Sequence, residues 1–222
     1  MITYIVACYF GPRRVHDQAY IDDPMLYIKW HCVQLATLKF NLIEKIIFVV
    51  NGDEPLQLKP QIRDIPVEVL HRENVGMSYG AWNKGMQHSN SEYCFLIEDD
   101  YIPVVDNFDQ VFLDNFKDQT GYVCSLYRWG HAAITNGLIK TEAIMSVGGV
   151  PYAPSSNYGA NEQVGQIGMS KILEAHGWGV EDISSDHSVP FLDAKGGILY
   201  YGAEGAPRVV SPVMLERNDT AI

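Results

Sequence analysis

The chain is short of basic residues and of cysteine, and it has no long hydrophobic run. Its 222 residues include 16 lysines and arginines against 27 aspartates and glutamates, so the net charge is −11. Nucleic acids and anionic membranes need an electropositive face, so we expect neither as a partner. A phosphorylated ligand would need positive charge close to its phosphates to offset this net negative charge, and a divalent cation is the obvious candidate. No apolar run approaches the roughly 20 residues of a membrane-spanning helix.

The cysteine pattern indicates reduced thiols rather than disulfides or a zinc site. The four cysteines are Cys8, Cys32, Cys94 and Cys124. None forms a CxxC pair, and three lie in apolar runs that predict strands. Residues 2–10 form a short apolar stretch that no basic residues precede and that ends at Gly11-Pro12. This pattern predicts a buried strand rather than a signal peptide. We therefore expect a protein of the reducing cytoplasm.

Apolar runs alternate with helix-like segments along the first half of the chain. The predicted strands are residues 2–9, 46–50, 67–70 and 93–97, and the predicted helices run from Asp23-Pro24 to about Phe40 and over 77–86. This alternation favours an α/β fold with a largely parallel central sheet.

The alternation loosens after Asp100. There we predict helices over residues 108–116, 141–147 and 162–176, and a strand over 122–126. Gly165 and Gly168 weaken the last of these helices. Because no linker is evident, we expect one domain over residues 1–222, with a nucleotide-binding half near 1–105 and an acceptor half near 106–222.

Acidic residues follow the predicted strand 93–97 directly, as Glu98-Asp99-Asp100. In an open α/β sheet, ligands bind outside the carboxyl ends of the strands. If the chain stays extended, Glu98 and Asp100 face the same way. Two hard oxygen ligands in this arrangement suit Mg²⁺ or Mn²⁺ that substrate phosphates also hold. The alternative is a solvated acidic turn.

Two further segments lie at predicted strand ends. Asn51-Gly52-Asp53 could contact a base edge, although Asn-Gly also favours a simple turn. The segment 72–85 combines glycines with Arg72 and Lys84, and a helix N-terminus there can receive an anion. Its spacing is neither that of a P-loop nor GxGxxG.

Five segments of the chain, in this order, carry a resemblance to a known family. They are the strand Tyr4–Tyr9, Phe48-Val-Val-Asn-Gly-Asp53, Asn74-Val-Gly76…Gly80-Ala-Trp-Asn83-Lys-Gly85, Phe95-Leu-Ile-Glu98-Asp-Asp100, and Gly137-Leu-Ile-Lys140…Val147-Gly-Gly149. Together they resemble the GT-A glycosyltransferases, specifically the family-2 type that uses nucleotide-diphosphate sugars. The resemblance covers roughly residues 4–180. It implies a GT-A fold, which is a Rossmann-like α/β/α sandwich.

The resemblance also implies roles for the donor site. Asp53 would contact the nucleobase or its ribose, Glu98 and Asp99 would lie near the ribose, and Asp100 would hold Mn²⁺ or Mg²⁺ with help from Glu98. The remaining donor contacts would come from Arg72, Asn74, Gly76, Asn83 and Lys84. The first acid of the D-x-D pattern is here Glu98, which is one methylene longer.

On the acceptor side, Glu162 is the best match to the general base that deprotonates the acceptor hydroxyl, with Asp186 as the fallback. The usual Glu-Asp pair is replaced by Asn161-Glu162. His187 could be a further metal ligand oriented by Asp186, and the alternative is a surface histidine in a loop. Tyr152 and Tyr158 could stack on a sugar ring or simply pack.

The implied activity is metal-dependent sugar transfer, with inversion, from a nucleotide-diphosphate sugar to an acceptor hydroxyl. The acceptor would be a glycan, a lipid-linked molecule or a small molecule. One alternative is a non-catalytic nucleotide-sugar-binding relative. Another is a sugar nucleotidyltransferase, but residues 11–14 lack the glycine-rich signature that usually follows its first strand.

Overall fold

The computed structural model describes residues 1–11, 25–124, 127–128, 131–132, 136–183, 191–193, 200–201 and 207–208. The strands are β1 (Ile2–Cys8), β2 (Ile43–Asn51), β3 (Gln61–Ile62), β4 (Ile65–Arg72), β5 (Tyr93–Glu98), β6 (Tyr101–Pro103), β7 (Thr120–Cys124), β8 (Tyr127–Arg128), β9 (His131–Ala132), β10 (Asn136–Lys140), β11 (Gly179–Asp182), β12 (Phe191–Asp193), β13 (Tyr200–Tyr201) and β14 (Pro207–Arg208). The helices are α1 (Leu26–Thr37), α2 (Met77–Met86), α3 (Phe108–Leu113), α4 (Thr141–Ser146), α5 (Tyr158–Asn161) and α6 (Gly168–Ala175), with a π-helical segment, Glu162–Ile167, between the last two.

Eight of these strands form one sheet in the order β11-β7-β10-β5-β1-β2-β4-β3. β1 pairs in parallel with β2 and β5, β2 with β4, and β7 with β11. β10 lies antiparallel between β5 and β7, and β3 is antiparallel to β4. The expectation of a mostly parallel central sheet is therefore confirmed. The strands β1, β2, β4 and β5 end at the same edge, which we call the carboxyl edge.

Helices cover both faces of this sheet, because β1 and most positions of β2 and β5 are buried on both sides. All seven residues of β1 are buried, as a continuous apolar run predicts. Tyr4 and Val6 pack on the face covered by α1 and α3, while Ile5 and Ala7 pack on the face covered by α2, α4 and α6. The result is a three-layer α/β/α sandwich.

Several predicted boundaries change in the structure. The predicted helix over 108–116 ends at Leu113, and the predicted helix over 162–176 contains the π-helical segment. The chain does not stay extended through Asp100, because β5 ends at Glu98 and Asp99 and Asp100 lie in a turn before β6. The extended geometry that would point Glu98 and Asp100 the same way is therefore not formed.

Two predictions from composition can be compared with the fold. All four cysteines are buried and none forms a disulfide, which confirms them as core thiols. Within the described ranges, no helix has both the length and the apolar character needed to cross a membrane. The predicted helix start at Asp23-Pro24 lies outside the described residues.

Candidate functional site at the carboxyl edge

Arg72, the last residue of β4, is a half-buried cation held at the carboxyl edge. The N–H of Gly52 donates to its carbonyl oxygen at 2.8 Å, which joins the ends of β2 and β4. Its guanidinium donates to Oδ1 of Asn51 and to the carbonyl oxygen of Val75. Burial lowers the pKa of Arg72, while Tyr152 and Glu73 act in the opposite direction. Arg72 is thus a fixed positive charge in an acidic chain.

The turn from β4 into α2 has an uncommon backbone. Gly76 has φ +79° and Met77 has φ +51°, so two successive residues are left-handed. A non-glycine residue there costs about 1 kcal/mol or more, and such outliers cluster at functional sites. The Gly76 N–H donates to the carbonyl oxygen of Ser155 at 2.9 Å. A Cβ at Gly76 would lie 2.3 Å from the Tyr152 ring, so this close approach requires glycine.

The first turns of α2 are tied to the end of β5. Ser78 Oγ donates to Oε1 of Glu98 at 2.6 Å, a short hydrogen bond typical of a charged acceptor. Trp82 Nε1 donates to the carbonyl oxygen of Ile97 at 3.0 Å. These contacts keep the helix N-terminus beside the Glu98 carboxylate.

The buried phenol of Tyr79 is affected by the charges of both the predicted donor-side acid, Glu98, and the predicted base, Glu162. Its ring is buried, meets Trp82 edge-on at 5.3 Å, and lies against Gly165 of the π-helical segment. Burial raises the pKa of Tyr79 well above its ordinary value, and the charges of Glu98 and Glu162 raise it further. The charges of Glu98 and Glu162, which are 64 residues apart in the sequence, therefore both act on this one buried phenol.

Asn161 and Glu162 have different surroundings. Asn161 is buried: its Oδ1 accepts from the Ala153 N–H at 2.9 Å, and its Nδ2 donates to the Ser155 carbonyl at 2.8 Å and the Asn157 carbonyl at 3.0 Å. Asn161 thus holds the preceding loop, while Glu162 is partly exposed at the start of the π-helical segment. Such segments are frequent at functional sites.

Asp99 supports the end of β1. Its Oδ2 accepts a hydrogen bond from the Tyr9 N–H at 3.0 Å, and its own N–H donates to the Ala7 carbonyl at 3.1 Å. The side chain is only 5% exposed. These two hydrogen bonds hold the backbone at the end of β1, and the predicted contact of Asp99 with a ribose stays a prediction.

The other predicted donor residues differ in their placement. Asp53 is exposed just after β2, and Asn74 Oδ1 is shielded from solvent yet accepts no hydrogen bond within the described part of the chain. Asn83 Oδ1 accepts from the Val150 N–H at 3.3 Å, so it holds the loop after Gly149. Lys84 lies in the last turn of α2, about 12 Å along the helix axis from Gly76. Asp186 and His187 lie outside the described residues.

The carboxylates fit a cation shared with a ligand. Glu98 and Asp100 are hard oxygen donors at the carboxyl edge, and Asp100 is 1% exposed. Across the residues described, no three His, Cys, Asp or Glu side chains form a group that could hold a metal. Mg²⁺ and Mn²⁺ commonly take one or two carboxylates together with phosphate oxygens and waters. A divalent cation held by Glu98 and Asp100 together with a diphosphate stays a prediction.

Sequence analysis did not single out Ser78 or Tyr79. Both lie at positions of α2 that the motif leaves unspecified, and periodicity gives a buried tyrosine no role beyond packing. The hydroxyl of Ser78 and the phenol of Tyr79 become part of the site only when β5 and the π-helical segment are placed beside α2.

No protein family and no curated protein sequence matches this chain. Solved structures do resemble it. A cytidylyltransferase from Leptospira borgpetersenii has a TM-score of 0.53 at 10% identity, covering 82% of this chain and 74% of that chain. TarS 1-349 from S. aureus has a TM-score of 0.53 at 10% identity, with 82% and 58% covered. The mannosyltransferase PcManGT from Pyrobaculum calidifontis, solved with GDP-Man and Mn²⁺, has a TM-score of 0.49 at 12% identity, with 82% and 54% covered.

The likenesses to the cytidylyltransferase and to TarS show the fold alone. It is a Rossmann-like α/β sandwich of the type that GT-A proteins and nucleotidyltransferases share. The chain spans 54% of the length of the mannosyltransferase and 35% of the longer TarS chain.

Proposed function

We propose that this chain is a glycosyltransferase that moves a sugar from a nucleotide-diphosphate donor to an acceptor hydroxyl. The observation that carries this proposal is the packing around Tyr79: the π-helical segment that begins at Glu162 meets its ring through Gly165, and the neighbouring Ser78 donates to Glu98. A carboxylate on the donor side and a separate base on the acceptor side would serve metal-assisted sugar transfer with inversion. The resemblance of five ordered motifs and the GT-A type fold support the same function.

The donor would lie along the carboxyl edge, with its diphosphate near the N-terminus of α2. Helix N-termini favour anions, and Arg72 adds a fixed positive charge nearby. Asn74 Oδ1 accepts no hydrogen bond within the described residues, so an N–H or O–H group of the nucleotide would donate a hydrogen bond to it. A divalent cation held by Glu98 and Asp100 would supply positive charge to the departing diphosphate.

The reaction would be one displacement. The acceptor oxygen forms a bond to the anomeric carbon, and the bond from that carbon to the diphosphate oxygen breaks with its electron pair leaving on the nucleoside diphosphate. The acceptor proton passes to the carboxylate of Glu162. Such a base is worth about 10²–10⁴-fold in rate, and direct displacement inverts the anomeric configuration.

Thermal unfolding with UDP, GDP, CDP and ADP, each with and without Mn²⁺, tests the donor site. A ligand at about 100 times its dissociation constant stabilises by about 2.7 kcal/mol. A shift that needs both the nucleotide and the metal supports the proposal and identifies the base. No shift with any pair contradicts it.

Glu162→Gln tests the base once a donor is identified. We expect turnover to fall by about 10²–10⁴-fold while nucleotide binding stays unchanged. Glu174→Gln is the matched control, since Glu174 lies exposed on α6 further along the same helical run. Equal turnover in the two variants would remove Glu162 from the mechanism.

The same measurements separate the two alternatives. A non-catalytic nucleotide-sugar-binding protein would show the thermal shift but release no nucleoside diphosphate from any donor. A nucleotidyltransferase, whose fold the Leptospira cytidylyltransferase shares, would release pyrophosphate from a nucleoside triphosphate and a sugar phosphate.

A further inference from the structure

The hydroxyl of Ser78 makes a contact that its local position does not demand. Ser78 is the second residue of α2, and the turn into this helix is made by Gly76 without a side-chain cap. Serine near a helix start commonly bonds to the backbone of its own first turn. Here its Oγ instead donates to Glu98, 20 residues further along the chain and on a different element.

The backbone of the turn is what brings Ser78 to Glu98. Gly76 and Met77 both have positive φ, and the Gly76 N–H is held by the Ser155 carbonyl oxygen. Trp82 then fixes the next helical turn on the Ile97 carbonyl. The contacts of Gly76 and Trp82, which lie before and after Ser78 in the sequence, therefore fix the position of Ser78.

The side chain of Glu98 is more flexible than an aspartate side chain at the same position would be. A glutamate has one more rotatable side-chain bond than an aspartate, and this freedom is lost when a ligand binds. The hydrogen bond to Oε1 restricts the side chain before any ligand arrives. It also uses one of the two lone pairs of Oε1, so Oε2 keeps the larger accepting capacity for a ligand.

We infer that Ser78 is a positioning residue, which holds Oε1 of Glu98 so that Oε2 receives the nucleoside diphosphate or the cation bound with it. This inference rests on the proposed function. The chemistry required of the ligand is either a hydroxyl that donates to a carboxylate or a divalent cation, and the two can be measured separately.

The test measures the affinity of wild type, Ser78→Ala and Ser78→Thr for the nucleoside diphosphate that stabilises wild type most, with and without Mn²⁺. A hydrogen bond to a charged group is worth about tenfold or more in affinity, so Ser78→Ala should weaken binding by about that factor. Ser78→Thr keeps the hydroxyl and should stay within about threefold of wild type.

Two further variants separate positioning from general damage. The double variant Ser78→Ala with Glu98→Ala should bind no more weakly than Glu98→Ala alone, because Ser78 acts only through that carboxylate. Ser146→Ala is the matched control, since the Ser146 hydroxyl also donates a hydrogen bond, to the Ala143 carbonyl oxygen at 2.7 Å, but lies on α4. It should keep the wild-type affinity.

The outcomes are distinguishable. Weaker binding of Mn²⁺ alone in Ser78→Ala assigns Oε2 to the cation, and weaker binding of the nucleotide without metal assigns it to a ligand hydroxyl. Unchanged affinities in Ser78→Ala, or a loss that adds fully to that of Glu98→Ala, overturn the inference while the proposed function stands. If wild type binds no nucleoside diphosphate, the proposed function and the inference both fail.

Discussion

His31 on α1 connects two layers of the molecule through its imidazole ring. Its Nε2 lies 3.0 Å from the carbonyl oxygen of Asp99, and its Nδ1 lies 3.2 Å from the Tyr4 hydroxyl. A carbonyl oxygen can only accept, so Nε2 carries the proton and Nδ1 accepts from Tyr4. Burial lowers the pKa of His31 to about 4, although Asp99 raises it in part.

His31 should make stability depend on pH. Its folded pKa of about 4 lies below its ordinary value of 6.5, so the unfolded chain binds the proton more tightly. Its contribution is therefore fully present above pH 6.5 and is lost as the pH falls toward 4. Between about pH 7 and about pH 5 the loss should be about 2 kcal/mol. Urea unfolding of wild type across this range measures it.

The control is His31→Gln, which has no titratable group at this position. Its free energy of unfolding should fall less than that of wild type by about this amount over the same pH range. The comparison removes the contribution of the carboxylates, which both proteins share. Parallel pH profiles for the two proteins would show that His31 does not titrate on unfolding.

Gly76 and Gly148 provide a second residue-scale prediction, because both have positive φ but only one is crowded. A Cβ at Gly148, with φ +93°, would meet nothing within 4 Å, whereas a Cβ at Gly76 would meet the Tyr152 ring. Gly148→Ala should cost about 1–2 kcal/mol from backbone strain alone. Gly76→Ala should cost clearly more and also weaken nucleotide binding. Equal costs in urea unfolding would mean that Tyr152 moves aside freely.

At the scale of elements, α2 and the central strands were predictable and the π-helical segment was not. The helix over Met77–Met86 matches its predicted bounds, and β1, β2, β4 and β5 follow their apolar runs. β10 was not predicted as a strand, because its five residues give too little periodicity to identify an antiparallel insertion. The π-helical segment has no local sequence pattern that predicts it, and its Gly165 packs closely against the Tyr79 ring.

Gly165→Ala tests the contact between the π-helical segment and α2. A Cβ at Gly165 would lie 2.5 Å from the Tyr79 ring, so the two elements must separate. We expect a loss of about 1–3 kcal/mol in stability, and reduced turnover because Glu162 moves with the segment. Gly159→Ala in α5 is the control, since its Cβ would only reach Asn157 Oδ1 at 3.7 Å. It should be neutral or stabilising by up to about 1 kcal/mol.

At the scale of the whole molecule, the net charge of −11 opposes any anionic ligand at long range. The local arrangement of Arg72 and the α2 N-terminus acts in the opposite direction, but only over a short distance. Salt screens the long-range repulsion more than it screens a half-buried cation. The net negative charge of the chain should therefore weaken binding of the nucleotide and strengthen binding of the metal ion.

We expect opposite salt dependences for these two ligands. Raising KCl from about 20 mM to about 200 mM should tighten binding of a nucleoside diphosphate alone by about threefold and weaken binding of Mn²⁺ alone by a similar factor. Calorimetric titration of each ligand separately measures both trends. If nucleotide binding weakens with salt as metal binding does, local positive charge dominates over the net charge.

The sequence by itself determined where the strands end and which acids follow them. Continuous apolar runs must be buried on both faces, and parallel strands deliver their following residues to one edge, so Glu98 and Asp100 could be assigned to that edge. Only the tertiary structure decided what each side chain meets there. Asp99 accepts from the Tyr9 N–H, Ser78 donates to Glu98, and Gly165 of the π-helical segment packs against Tyr79. These contacts depend on how separate elements pack rather than on local propensity.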